Sequence, residues 1–188
     1  MSLLAPLKLV LLSAIVLAEV AHAHPQGFHK KIVFTLTRHT VHALLVMDID
    51  GGERCSLIRS GADLNHDGVL STDETGVLKK RLVAMAMKSL KVGFSGAPVT
   101  LEISESKVNL HADPRVNESG LSVAVLLSLT HSPAANPGMA FEVEDTAPDL
   151  STVNLQVFQV SAADAGAGVA FEGDAESGRK TSVRLGAL

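Results

Sequence analysis

Residues 121–129, LSVAVLLSL, form the most regular alternating segment of this chain. Apolar side chains recur at every second residue, which is the period of a β-strand with one buried face. Shorter segments of the same kind follow Gly93, and clusters of Ser, Asp, Asn, Pro and Gly separate them. Several short strands with regular turn signals are typical of an antiparallel β-sandwich. Their apolar members are Val99, Leu101, Ile103, Val108, Leu110, Phe141, Val143, Val153, Leu155, Val157, Val169, Phe171, Val183 and Leu185.

Two more strands and two helices are predicted before this region. Residues 32–36 alternate, and residues 41–49 are more continuously apolar, as in a central strand covered on both sides. Residues 53–62 have the length of a short helix, and a longer helix follows with Leu78, Leu82, Met85 and Leu90 at helical spacing. We therefore expect an α+β fold, an antiparallel β-sandwich with a helix–loop–helix inserted at about residues 53–90, between the second and third strands.

The segment between the two helices, DLNHDGVLSTDE at residues 63–74, matches the pattern D-x-[DN]-x-[DN]-G-x5-E at every specified position. Gly68 stands where the chain must turn sharply. Carboxylate, amide, hydroxyl and carbonyl oxygens at these spacings are ligands for a hard cation, and Ca²⁺ ranks before Mg²⁺ because Mg²⁺ demands a tighter octahedron. The predicted ligands are Asp63, Asn65, Asp67, the backbone carbonyl of Val69, Ser71 through a water, and Glu74 with both oxygens.

This loop resembles the EF-hand calcium-binding family over residues 63–74 and the helix that follows. The resemblance implies one bound Ca²⁺. The chain departs from the family in having Gly61 in the entering helix and no second hand. We therefore expect the ion to be structural, fastening the helical insert to the sheet. The alternative interpretation is a polar turn in which residues 71–74 merely open a helix.

Residues 1–23 are expected to be a signal peptide. Lys8 precedes an apolar run at residues 9–18, and Ala21 and Ala23 are the small residues of a cleavage site. The run is too short for a comfortable membrane span. We therefore expect a periplasmic or secreted chain of one domain, residues 24–188, with no membrane span after cleavage. A formal net charge of −4 argues against nucleic-acid binding, and the single cysteine, Cys55, cannot form an internal disulfide.

Histidines near the expected mature N-terminus support an alternative function, a periplasmic copper or nickel carrier. His24 would be the first residue, and His29, His39, His42 and His111 are possible partners. Amine and imidazole ligands suit Cu²⁺. The layout is also similar to bacterial periplasmic proteins that begin His-Pro and carry an EF-hand-like segment, some of which accompany HupE/UreJ-type nickel or cobalt permeases. The sequence contains no nucleophile elbow, phosphate loop, CxxC or HExxH, so we expect no enzyme.

Overall fold

The computed structural model describes residues 27–37, 40–111, 113–130, 138–146, 150–160, 167–175 and 178–186. Strands dominate this part of the chain, and its helices both follow β2, which agrees with the predicted insert. In order, the elements are β1 (Phe28–Leu36), β2 (Thr40–Ile49), α1 (Glu53–Ser60), α2 (Thr72–Lys88), β3 (Leu90–Phe94), β4 (Ala97–Val99), β5 (Glu102–Asn109), β6 (Leu121–Thr130), β7 (Ala140–Asp145), β8 (Leu150–Val160), β9 (Ala167–Ala175) and β10 (Lys180–Arg184). The expected signal peptide lies outside the described residues.

The strands form two sheets, which confirms a β-rich α+β architecture. One sheet has the order β5-β6-β2-β1-β8-β9, and the other has the order β10-β7-β3-β4. The prediction of a wholly antiparallel sandwich is wrong at one pair, because β1 and β8 run parallel with Ile32 opposite Leu155. β8 follows β7 of the other sheet and reaches β1 from a distant part of the chain, so no hairpin fixes its direction.

The two sheets share one hydrophobic core. Phe34 of β1 meets Phe141 of β7 edge to face, with ring centroids 5.0 Å apart and an interplanar angle of 72°. Phe94 of β3 lies 5.2 Å from the same ring. Such aromatic pairs contribute about 0.5–1.5 kcal/mol beyond the area they bury. The alternating strand β6 adds a row of buried side chains to this core: Leu121, Val123, Val125 and Leu127.

A buried ion pair also joins the two sheets. Lys30 of β1 donates from Nζ to Asp145 of β7 at 2.5 Å, and the two side chains are only 1% and 2% exposed. The same ammonium group donates to the carbonyl of Ala86 at 3.0 Å and to the hydroxyl of Ser89 at 3.2 Å. All three ammonium donors are therefore used, and the C-terminal end of α2 is tied to both sheets.

The longer helix, α2, buries one face against the core through Leu78, Leu82 and Ala86. Met85 was expected on that face but is 40% exposed, because the buried stripe follows i, i+4 spacing and Met85 falls at its edge. Neither of the described helices is long and apolar enough to cross a membrane.

Candidate functional site

The candidate site is the loop between the two helices. Helix α1 ends at Ser60, and α2 begins at Thr72 behind its N-cap residue, Ser71. Gly68, the sixth residue of the loop, has φ +80°, a backbone conformation that side chains disfavour. The chain therefore turns sharply at the position where the motif requires glycine.

Asp63 lies at the buried end of the loop and is 6% exposed. Its Oδ2 accepts the N–H of Gly68 at 3.0 Å, so this carboxylate joins the first loop residue to the sixth. Its Oδ1 is buried and has no hydrogen-bond partner in the described part of the chain. Buried polar atoms in folded proteins nearly always have a partner, so this oxygen is suited to a donor or a cation.

Asn65 and Asp67 form the exposed half of the loop. Asn65 donates from Nδ2 to Asp67 Oδ2 at 3.0 Å, and its Oδ1 accepts the N–H of Asp67 at 3.0 Å. The Oδ1 of Asp67 accepts the N–H of Val69 at 2.8 Å. Bonds from Asn and Asp side chains to a backbone N–H two residues on are Asx turns, and they shape this half of the loop locally.

Glu74 closes the loop from the first turn of α2. Its Oε1 accepts the N–H groups of Leu64 at 2.7 Å and Asn65 at 3.2 Å. Its Oε2 accepts the N–H of Ser71 at 3.0 Å and the Ser71 hydroxyl at 2.8 Å, and the Ser71 hydroxyl accepts the N–H of Glu74 in a capping box. The bonds from Ser71, with smaller help from Asn65 and Leu64, lower the pKa of Glu74 to about 2.

The side chains predicted to bind the ion are held in smaller groups in this structure. Ser71 is joined to Glu74 and Asn65 to Asp67, whereas Asp63 is bonded to the backbone. Among the described residues, no three carboxylate, imidazole or thiol side chains are grouped closely enough to hold a metal ion. A carboxylate offers about four lone-pair directions. Glu74 accepts bonds from four donors, so chelation with both oxygens requires it to exchange some of them.

The middle of the loop pairs with a distant part of the chain, residues 110–111 and 113–120, which we name the docking segment. Val69 forms an antiparallel bridge with Arg115. The N–H of Leu70 donates to the carbonyl of Pro114 at 2.8 Å, and the N–H of Val116 donates to the carbonyl of Gly68 at 2.8 Å. The Leu70 side chain is 4% exposed and packs in the core, so the loop is held by the docking segment and by the hydrophobic core.

Arg59 on α1 binds the docking segment and was missed by the sequence analysis. Its side chain is fully buried, four residues after the buried Cys55. Because arginine is rarely buried, its place on the apolar side of α1 was the only signal. The four hydrogens on its two terminal nitrogens reach five backbone carbonyls at 2.7–3.4 Å, so one hydrogen is shared, and these carbonyls are those of Leu110, Asp113, Arg115, Ser119 and Gly120.

Asp113 organises the docking segment. Its carboxylate accepts two bonds from the Arg115 guanidinium, at 2.9 and 3.0 Å, and one from Asn117 Nδ2 at 2.6 Å. These bonds, led by those from the Arg115 side chain, hold the pKa of Asp113 well below its usual range. The segment is therefore shaped by its own side chains as well as by Arg59.

Of the histidines of the alternative hypothesis that the structure describes, His29 and His111 both lie near Asp48, whereas His42 lies six residues earlier on β2. His24 and His39 lie outside the described residues. His29 Nε2 lies 3.0 Å from Asp50 Oδ2, and His111 has φ +52° with its N–H bonded to Asn109 Oδ1. His42 is half-buried on β2, where burial lowers its pKa. The transition-metal site stays a prediction.

Comparison of the chain with protein-family models finds no match, and comparison with curated protein sequences finds none either. The EF-hand resemblance and the looser similarity to permease-associated periplasmic proteins therefore stay predictions.

Proposed function

We propose that this chain is an exported, non-enzymatic calcium-binding β-domain with one Ca²⁺ site in the loop from Asp63 to Glu74. The observation that supports it best is the buried Oδ1 of Asp63, which has no protein partner within the described residues. This oxygen stands at the start of a loop of motif length that Glu74 closes from the other end. A hard divalent cation would supply the missing partner.

The ligand chemistry also favours this ion. The ligands would be Asp63, Asn65, Asp67, the carbonyl of Val69, Ser71 and Glu74, all of them oxygen donors. Ca²⁺ accepts about 6–8 oxygen ligands in a flexible geometry. Mg²⁺ keeps most of its waters and demands a near-ideal octahedron, so a loop with mixed carboxylate, amide and carbonyl donors suits Ca²⁺ better.

The free-energy cost of binding an ion in this loop comes mainly from the hydrogen bonds that Glu74 would lose. Because its Oε1 accepts two N–H groups from the start of the loop while its Oε2 binds Ser71, the loop is closed by protein contacts as well as by any ion. The ion has to displace part of this set, which lowers the net gain from binding. A dissociation constant of about 10⁻⁴–10⁻³ M, the range of extracellular calcium modules, fits this balance.

The role that follows is stabilisation. The loop is attached to the core by Leu70 and is continuous with α2, whose buried face packs against the sheets. A ligand that binds only the native state stabilises it by about 2.7 kcal/mol when its concentration is 100 times the dissociation constant. For a chain of this length we expect Tm to rise by about 5–10 °C at that concentration.

Thermal unfolding of the protein with and without calcium tests the proposal. We expect saturating calcium to raise Tm in the unaltered protein, and Asp63→Ala and Glu74→Gln to abolish the increase. The matched control is Asp73→Asn, which removes an exposed carboxylate at the eleventh loop position and should leave the increase intact. A calcium-insensitive Tm for the unaltered protein would overturn the proposal.

Titration of the protein with copper and with nickel, read out as binding affinity, tests the alternative carrier function. It requires protein that begins at His24 and a second preparation with one added N-terminal residue. Equal affinity of the two preparations for copper and nickel would remove any role for the His24 amine.

A further inference from the structure

We propose that the docking segment is the partner of the calcium loop, so that ion occupancy of the loop and docking of this segment are thermodynamically coupled. The inference rests on the proposed calcium function and extends it to residues 110–111 and 113–120, which supply none of the predicted ligands. It assigns the segment a regulatory role: docking raises calcium affinity, and calcium holds the segment in place.

The contacts that support this coupling are centred on a predicted ligand. Val69, whose carbonyl is expected to bind the ion, forms the bridge to the segment with Gly68 and Leu70, and the predicted ligands Asp67 and Ser71 flank these three residues. Hydrogen bonds on both sides of the bridge fix this part of the loop backbone, at 2.8 Å each. A docked segment therefore holds the Val69 carbonyl and its neighbours in one arrangement before an ion binds, so less ordering is left to oppose binding.

Arg59 provides a second connection between the segment and the site. Its guanidinium group donates to five carbonyls of the segment, and its own carbonyl accepts the N–H of Asp63 at 3.1 Å. The first predicted ligand is thus bonded to the residue that anchors the segment. Further along, the N–H of Gly52 donates to the carbonyl of Glu118 at 2.7 Å, so the start of α1 holds the segment as well.

Docking also determines what the surface presents. Arg115 lies at the bridge, and its side chain is 71% exposed while Asp113 holds the guanidinium at two points. The bridge and the Arg59 bonds fix the backbone from which this cation projects. Calcium occupancy therefore controls how firmly the Asp113–Arg115 ion pair is held beside an acidic loop.

Hydrogen exchange of the unaltered protein is the first test and requires no variant. We expect saturating calcium to slow exchange of the Leu70 and Val116 amides by roughly 10-fold, within the usual range of allosteric coupling. The control amide is that of Ser95, which donates to the carbonyl of Ala140 in the other sheet and should change less. Calcium binding that leaves the Val116 amide unaffected would overturn the coupling and leave the proposed function standing.

The second test removes the anchor. Arg59→Met keeps an unbranched apolar stem and deletes the guanidinium group with its five bonds, and we expect it to weaken calcium binding by roughly 10-fold, or about 1.4 kcal/mol. Arg54→Met is the matched control, because Arg54 is an exposed arginine on the same helix. Equal calcium affinity of the folded Arg59→Met variant and the control would overturn the coupling. Absence of calcium binding to the unaltered protein would instead overturn the proposed function and this inference with it.

Discussion

Lys30→Met is the substitution from which we expect the largest loss of stability. It keeps the unbranched apolar stem of the side chain and removes an ammonium group that is bonded to Asp145, Ala86 and Ser89 in the core. Asp145 would then be a buried carboxylate without its cation. Removing one member of a buried ion pair costs about 3–5 kcal/mol, because the other charge stays desolvated and uncompensated. For a chain of this size the loss corresponds to a fall in Tm of about 6–20 °C.

The assay is chemical unfolding at neutral pH in a chelating buffer, so that no metal ion contributes. The matched control is Lys180→Met, which breaks an exposed ion pair with Glu142 at 3.3 Å. Exposed pairs contribute about 0–1 kcal/mol, so the control should lose little. The double variant Lys30→Met/Asp145→Leu should be more stable than Lys30→Met alone, because no buried charge is left without a partner.

If Lys30→Met loses less than about 1 kcal/mol, as the exposed control should, then Lys30 and Asp145 are not a desolvated pair in solution. The assignment of this contact as a tie between the two sheets and α2 would then be wrong.

Two further outcomes are expected. Gly68→Ala should lower the free energy of unfolding by about 1–2 kcal/mol, because residue 68 has φ +80°. Gly76→Ala inside α2 should raise it by about 0.5–1 kcal/mol, because an added Cβ there meets nothing within 4 Å. Chemical unfolding of both variants measures these changes, and equal changes in the two variants would contradict the prediction. Because the pKa of Asp113 is lowered in the folded state, the unaltered protein should be more stable than Asp113→Asn above about pH 4, and this difference in stability should shrink as the pH falls further. Unfolding of both metal-free proteins at several pH values measures the difference, and a difference that does not change with pH would contradict the prediction.

Short sequence patterns predicted strand β6, the helical insert and the glycine turn of the loop. The alternation at residues 121–129 predicted β6, and the change to helical spacing predicted the insert after the second strand. The twelve-residue motif located the loop and its glycine turn. These features are set by strand period, helix period and backbone sterics, which act within a few residues.

Long-range contacts were not predictable in the same way. No short pattern encodes the parallel pairing of β1 with β8 or the pairing of Val69 with Arg115. Arg59 and Lys30 occupy inward positions of their elements, but residue type alone assigns such charges to solvent. Partners from distant segments bind the ammonium group of Lys30 and the terminal nitrogens of Arg59, and a single sequence does not reveal those partners.

Equilibrium dialysis of the metal-free protein against calcium tests the central claim most directly, because it counts bound ions without reference to stability. We predict one Ca²⁺ per chain, retained in Asp73→Asn and lost in Glu74→Gln. No bound calcium at millimolar concentration, or equal binding by the Glu74→Gln variant, would contradict the assignment of the loop from Asp63 to Glu74 as a calcium site.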